Sequence, residues 1–177
     1  MNELYTKYLG LDLRSPLIAG SCNLTDNVDN LKEIEKAGAG AVVLKSVFEE
    51  EIYLEYASEL KKLGPMEENL EFLDYYDVEI RQDNLKRYLD LITSAKAALH
   101  IPVIASINCV TSQEWSFFAQ KIETAGADAL ALNLFIIPSD QRQSSSDNEN
   151  TYFGIIRQVI SRVKIPVSVK ISPYFSN

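Results

Sequence analysis

Four helix-to-strand junctions in this chain fall into two matching pairs. Ala37-Gly38-Ala39-Gly40 runs into Ala41-Val42-Val43-Leu44-Lys45, and Ala125-Gly126-Ala127-Asp128 runs into Ala129-Leu130-Ala131-Leu132-Asn133. In each, a glycine supplies a helix stop and a run apolar on both faces follows, as a strand buried between helices requires. The second pair is Ile101-Pro102-Val103-Ile104-Ala105 and Ile165-Pro166-Val167-Ser168-Val169-Lys170. Here proline ends a helix and opens a strand, where its missing N–H does little harm. Short apolar runs alternating with amphipathic segments are the signature of parallel βα units.

With Pro16-Leu17-Ile18-Ala19-Gly20 added, the pattern predicts five strands, near residues 16–21, 41–46, 102–107, 128–134 and 166–172. Helices are expected near 26–38, 80–99, 112–125 and 150–163. Thr25 is the expected N-cap of the first, and Thr111 or Ser112 of the third. Tyr5 to Ser15 predicts a small hairpin turning near Gly10. Two long segments break the rhythm: Val47 to Glu79, with helix expected around Glu50 to Leu63, and Phe135 to Asn150, whose Ser-rich part reads as a lid or a disordered excursion. Both follow strand C-termini, the end where barrel enzymes place their active sites.

An open doubly wound sheet would carry a Gly-rich phosphate fingerprint after an early strand, and none is present. The fold expected is therefore α/β, a (β/α)8 TIM barrel, which needs eight strands and roughly 250 residues. The 177 residues supply about the first five strands. Residues 1–177 then form the N-terminal part of a single barrel domain, with 1–15 as its hairpin, and a fragment is expected because the chain ends within a strand-end motif.

Charge and composition exclude several functions. Lys and Arg total 17 against 25 Asp and Glu, a net charge of −8 that repels polyanions, so nucleic acid is not an expected partner. Asp128 and Pro138 interrupt the longest uncharged run, which falls short of the roughly 20 apolar residues of a membrane span. The N-terminus has no secretory pattern, and a cytoplasmic location is expected. Cys22 and Cys109 are too few for a disulfide scaffold and read as small buried hydrophobes at strand ends. One histidine, His100, and two cysteines argue against a zinc site or a Ser-His-Asp triad, and no metal is expected.

The polar residues of interest stand at strand C-termini: Ser21 with Cys22, Lys45 with Ser46, Ser106 with Asn108, Asn133, and Lys170 with Ser172. A lysine at the end of an apolar barrel strand is costly to bury unless it faces an anion or an electron-rich ligand. Two of them, Lys45 and Lys170, point to one negatively charged ligand.

Ser15-Pro16-Leu17-Ile18-Ala19-Gly20-Ser21, Gly40-Ala41-Val42-Val43-Leu44-Lys45-Ser46, Leu132-Asn133-Leu134 and Val169-Lys170-Ile171-Ser172-Pro173-Tyr174-Phe175 resemble, in order, strand motifs of class 1 dihydroorotate dehydrogenases. The resemblance implies an FMN cofactor over the barrel mouth, a hydride taken from dihydroorotate, and a place in pyrimidine metabolism. It implies that Ala19, Gly20 and Ser21 approach the flavin, and that Lys45, Ser46, Asn133 and Lys170 bind it. Lys45 and Asn133 would also meet a small-molecule substrate. A homodimer is expected when the protein is full length.

The family's general base, a Cys or Ser, falls just after the Asn-Leu pair, where this chain reads Phe135-Ile136-Ile137-Pro138. No residue there can take a proton. Ser139 is the first hydroxyl beyond, with Ser144 to Ser146 and Cys109 as further substitutes. The Asn-rich substrate loop leaves only Gly64-Pro65-Met66-Glu67-Glu68-Asn69 as a trace. Two alternatives therefore stand beside the oxidoreductase: a catalytically silent flavin-binding relative, and a barrel enzyme using Lys45 or Lys170 as a Schiff-base lysine.

Overall fold

The computed structural model describes residues 4–48, 85–108, 114–135, 142 and 144–172. Strands β1 (Thr6–Tyr8) and β2 (Leu11–Leu13) form the expected hairpin, with Thr6 opposite Leu13 and Tyr8 opposite Leu11. Leu9 and Gly10 make its two-residue turn at φ 53° and 77°, the left-handed pair whose twist matches the flanking strands. There follow β3 (Ile18–Ala19), a 3-10 turn at Asn23–Thr25, α1 (Val28–Lys36), β4 (Ala41–Val43) and β5 (Val47–Phe48). Helix α2 is described over 85–98. After it come β6 (Val103–Asn108), α3 (Glu114–Thr124), β7 (Ala129–Leu134), α4 (Ser145–Ile160) and β8 (Val167–Ile171).

Strands β3 to β8 form one parallel sheet in the order β3-β4-β6-β7-β8, with β5 also paired to β6. One face of it buries Val42, Leu44, Ala105, Ile107, Leu130 and Leu132 in a cluster that includes Leu31, Ile92, Ile122 and Val159 of the four helices. Each of the Val, Leu and Ile side chains among them contributes about 1.5–3 kcal/mol. The other face gathers Ala41, Val43, Ile104, Ala129 and Ala131 around Leu13, with Leu9 and Leu11 packed alongside. Because Ala41 and Ala129 begin their strands, the hairpin covers the N-terminal end of this face. No helix among the described residues is long and apolar enough to cross a membrane.

The two Ala-Gly junctions are built alike. Gly38 and Gly126 sit at φ 102° and 96°. At the first, Gly38 N–H bonds Glu35 O and Ala39 N–H bonds Ile34 O. At the second, Gly126 bonds Glu123 O and Ala127 bonds Ile122 O. This paired bonding past a left-handed glycine satisfies the last helical carbonyls. Arg14 also donates to the carbonyls of Glu35 and Ala39, placing a cation where the α1 dipole is negative. The carboxylates of the same two turns reach the Ile-Pro junctions. Glu35 Oε1 accepts from His100 N at 2.9 Å, and Glu123 Oε1 from Lys164 N and Ile165 N at 2.6 and 3.1 Å. Asp128 accepts from Val103 N and from Lys96 Nζ, each at 2.7 Å, so one carboxylate ties β7, β6 and α2 together.

Several expectations need correction. Residues 41–46 are not one strand, so the sheet holds six strands among the described residues rather than five. Thr25 does not cap α1: its hydroxyl is spent on Cys22 N and O, and Asn27 caps instead, accepting from Asn30 N at 2.9 Å. The Ser-rich stretch is no loop at Ser144 to Asn148. Ser144 and Asp147 form a capping box, and α4 starts at Ser145, five residues before the expected 150. Cys22 is exposed, because it precedes the 3-10 turn beyond the end of β3. Glu50 to Leu63, Gly64 to Asn69, Cys109, Thr111, Ser112 and Ser139 lie outside the described residues.

The split in the second strand is a one-residue bulge. Val43 is opposite Ile104 and Val47 is opposite Ile107, so Leu44, Lys45 and Ser46 face only Ala105 and Ser106. The extra residue resets the alternation of side chains. Leu44 and Val47 both pack on the helix-covered face, while the Ser46 hydroxyl bonds Ser106 and Asn133 on the other. Lys45 N–H turns to Thr25 O at 3.1 Å and Ser46 N–H to Ser21 Oγ at 2.8 Å, both away from β6. Ile104 O, two residues before Ser106, bonds Leu44 N, so the polar backbone of Ser106 also faces the bulge. Tyr88 of α2 fills the missing rung: its hydroxyl accepts from Ser106 N at 2.8 Å and donates to Ser106 O at 3.1 Å.

Two outcomes follow from these contacts. A Cβ at Gly40 would sit inside the radius of Ser15 O and 2.9 Å from Ser15 C, whereas one at Gly154 in α4 meets nothing within 4 Å. In urea unfolding, Gly40→Ala lowers stability by about 1–3 kcal/mol, and Gly154→Ala raises it by about 0.5–1 kcal/mol. Burial pushes the Tyr88 phenol well above its ordinary value. Its contribution is therefore full below the unfolded-state value near 10 and is lost as pH rises beyond it, because only the unfolded chain then releases the proton. Between pH 10 and 11 the stability of the wild type falls more steeply than that of Tyr88→Phe, by up to about 1.4 kcal/mol per pH unit. Parallel slopes would contradict this.

Candidate functional site

The C-terminal ends of the strands bring together, on the face opposite the helices, most of the residues that the sequence singles out. Ser21 follows β3, Ser46 lies in the bulge, Ser106 is on β6, and Asn133 is on β7. Lys170 is paired to Asn133 across β7 and β8. Lys170 shares this face because Val167 and Val169, which alternate with it, pack against the helix-covered core.

Four of these side chains form one hydrogen-bonded network. Ser21 Oγ and Ser46 Oγ are 3.0 Å apart, and Ser46 Oγ and Ser106 Oγ are 2.8 Å apart. Asn133 Nδ2 lies 3.0 Å from Ser106 Oγ, 3.3 Å from Ser46 Oγ and 3.1 Å from Ile107 O. A backbone carbonyl only accepts, so the amide N–H2 of Asn133 must face inward and its oxygen outward.

The same reasoning gives the hydroxyls a direction. Ser106 is fully buried, so its proton needs an acceptor, and Ser46 Oγ is the acceptor within reach. Ser46 then donates to Ser21 Oγ. That oxygen also receives Ser46 N–H at 2.8 Å, which fills both its lone pairs. Ser21 keeps its own proton, and it is the partly exposed end of the chain. Toward a ligand this serine can act only as a donor.

Around the network, Ala19 is half-buried and Gly20 exposed, and open space lies where a Gly20 side chain would stand. Lys45 is half-buried and Lys170 exposed on the edge strand β8. Neither lysine has an ion-pair partner among the described residues. The site thus offers two cations, a hydroxyl donor and an outward amide oxygen, and no carboxylate touches its network among the described residues. Phe135, at the end of β7, is exposed at 60% and offers no proton-transfer group. Ile136, Ile137 and Ser139 lie outside the described residues. No group of three or more metal-ligating side chains exists among the described residues.

Sequence reasoning placed Ser106 at a strand end without a role, and passed over Tyr88 altogether. A tyrosine at a core position of an amphipathic helix reads as apolar packing. The one available signal is that a buried phenol needs a partner.

No family model matches the chain. Among curated proteins it is 27% identical, over 186 aligned residues, to the catalytic subunit of dihydroorotate dehydrogenase B (NAD(+)) of Thermoplasma volcanium. It is 26% identical over 179 residues to the same subunit of Thermoplasma acidophilum. Both alignments cover the whole chain but only 56% and 57% of the relatives. Among solved structures, a phosphonopyruvate hydrolase in complex with oxalate and magnesium matches 89% of the chain and 48% of its own, with TM-score 0.52 at 16% identity. A dihydrodipicolinate synthase from Agrobacterium tumefaciens matches 86% of the chain and 43% of its own, again with TM-score 0.52 at 16% identity. At that identity the likeness is one of fold, and with the parallel sheet it makes the chain part of an α/β barrel. From end to end the chain is similar in sequence to the dihydroorotate dehydrogenase family, and it spans just over half the length of the curated relatives it matches.

Proposed function

We propose that the full-length protein is a dihydroorotate dehydrogenase-like FMN oxidoreductase that oxidises dihydroorotate or a related dihydropyrimidine. The observation that carries this reading is the serine-asparagine network at the strand C-termini, with Lys170 on the same face of the sheet and Lys45 in the bulge beside Ser46. The donor set suits FMN: a flavin ring gains negative charge along its N1/O2 edge on reduction, and fixed cations and hydrogen-bond donors stabilise such charge. Bound FMN would supply the hydride-accepting ring.

The chain's own residues would do the rest. Lys170 and Lys45 would hold positive charge beside the ring, and the Ser21 hydroxyl would donate to one of its acceptor atoms. Ala19 and Gly20 would let the ring approach the backbone at the end of β3. Asn133, with its amide nitrogen held by Ser106 and Ile107, would present its oxygen to an N–H of ring or substrate. Ala19, Asn133 and Lys170 lie on strands, and Ser21 is tied by two hydrogen bonds to Ser46, which keeps these groups in place without a ligand.

The absence of a proton acceptor from Phe135-Ile136-Ile137, where the resemblance puts the family's base, favours a second reading, a flavin-binding relative without dehydrogenase activity. The absorption spectrum of the complete protein, before and after dihydroorotate, separates the two. Yellow protein that bleaches supports the oxidoreductase, yellow protein that does not bleach supports the silent relative, and colourless protein that takes up no FMN defeats both. In the yellow protein, Lys170→Ala lowers the flavin's two-electron reduction potential by up to about 30 mV, the equivalent of about 1.4 kcal/mol. Exposure of Lys170 sets that ceiling, and an unchanged potential would remove Lys170 from the ring edge.

A further inference from the structure

The serine network does not stand on the sheet unaided. Its buried end, Ser106, has a backbone N–H and C=O that face the bulge, where the parallel ladder supplies no partner. Both go to one atom, the hydroxyl of Tyr88, 2.8 and 3.1 Å away. Tyr88 reaches the sheet from the helix-covered side, while the Ser106 hydroxyl projects to the opposite face and meets Ser46 at 2.8 Å. We propose that Tyr88 is a positioning residue for the candidate site: its hydroxyl fixes Ser106, and through Ser106 the bulge that presents Ser46 and the free O–H of Ser21. The part of this inference that concerns a flavin rests on the function proposed above.

The physical case has three steps. An unpartnered buried N–H and C=O are each costly, so without the phenol the β6 backbone must close onto the bulge or admit water. Closure would draw Ser46 N–H back to Ser106 O and restore simple alternation, turning the Ser46 hydroxyl toward the helices. Ser46 would then no longer donate to Ser21. Burial keeps the phenol protonated, so it serves as donor and acceptor at once across the neutral pH range. Phenylalanine fills the same space and lacks only the bridging atom.

The test compares Tyr88→Phe with Ile92→Val in the full-length protein. Ile92 is buried in the same helix-to-sheet core and its apolar side chain offers the Ser106 backbone no hydrogen bond, so it reports a purely structural loss. Two measurements are made: amide hydrogen exchange resolved at Ser46 and Ser106, and FMN affinity by quenching of flavin fluorescence. In Tyr88→Phe the amides of Ser46 and Ser106 exchange about ten-fold faster or more, the equivalent of about 1.4 kcal/mol of local protection, while those of Val103 and Leu130 do not change. In Ile92→Val any acceleration is shared by all four. FMN affinity falls about ten-fold in Tyr88→Phe and stays within two-fold in Ile92→Val.

Exchange at Ser46 that does not respond to Tyr88→Phe, or responds equally to Ile92→Val, would overturn the inference. So would unchanged FMN affinity in a wild type that binds the flavin. If the wild type binds no FMN, the flavin reading fails alone, and the exchange at Ser46 decides the role of Tyr88.

Discussion

One extra residue in the second strand of the sheet sets the geometry of everything at its C-terminal edge. A regular parallel ladder from Val42 to Phe48 would give Ser46 N–H to β6 and its side chain to the helices. The bulge at Leu44-Lys45-Ser46 reverses both. Its cost is an interrupted ladder, and three groups from three different elements compensate: Thr25 O takes Lys45 N–H, Ser21 Oγ takes Ser46 N–H, and the Tyr88 hydroxyl takes the backbone of Ser106. An irregularity whose displaced N–H groups all find new acceptors is a built feature, and bulges of this kind re-aim side chains beside sites.

At the other end of the strands the same economy appears twice. Glu35 and Glu123 occupy equivalent places two residues before an Ala-Gly pair, and each carboxylate crosses to the backbone of an Ile-Pro junction. A proline-led strand start leaves neighbouring N–H groups without ladder partners, and a carboxylate held at a helix end supplies them. The contact occurs twice, each time running forward along the chain, from α1 to the start of β6 and from α3 to the start of β8. Order at the N-terminal end, with the hairpin over Leu13, is thus a matter of stability, and it leaves the opposite end free to vary.

The repeated junctions made most of the fold legible in the sequence. Glycine at a helix stop and proline at a strand start each act through a constraint on one residue, so Gly38, Gly126, Pro102 and Pro166 mark boundaries without reference to the rest of the chain. The two faces of the sheet were also open to reading, since alternation is local. The bulge was not, because nothing in Leu44-Lys45-Ser46 says that a partner strand offers one residue fewer. Tyr88 was hidden for the same reason: its role depends on a gap created more than 40 positions away. The Ser144 cap was visible as a Ser-x-x-Asp pattern, but a run of serines reads more readily as loop. In the site, the residue types at strand ends were legible, and the order of donors among them was not.

That order separates binding from proton transfer in this chain. Ser106 donates to Ser46 and Ser46 to Ser21, so the strand-borne hydroxyls end in a single donor and contain no acceptor free to take a proton. Lys45 and Lys170 add positive charge, in a protein whose net charge is −8. Strand ends of this composition suit an electron-rich ligand, as the function proposed above requires. Under the proposed function a base would have to come from a loop beyond the strands, where barrel enzymes carry their variable chemistry. Under the same proposal, the resemblance puts the family's base within Phe135 to Ile137, three side chains that carry no proton acceptor. Phe135 itself takes no part in the hydrogen bonds of the serine network, so binding groups and proton-transfer group sit on separable parts of the strand ends.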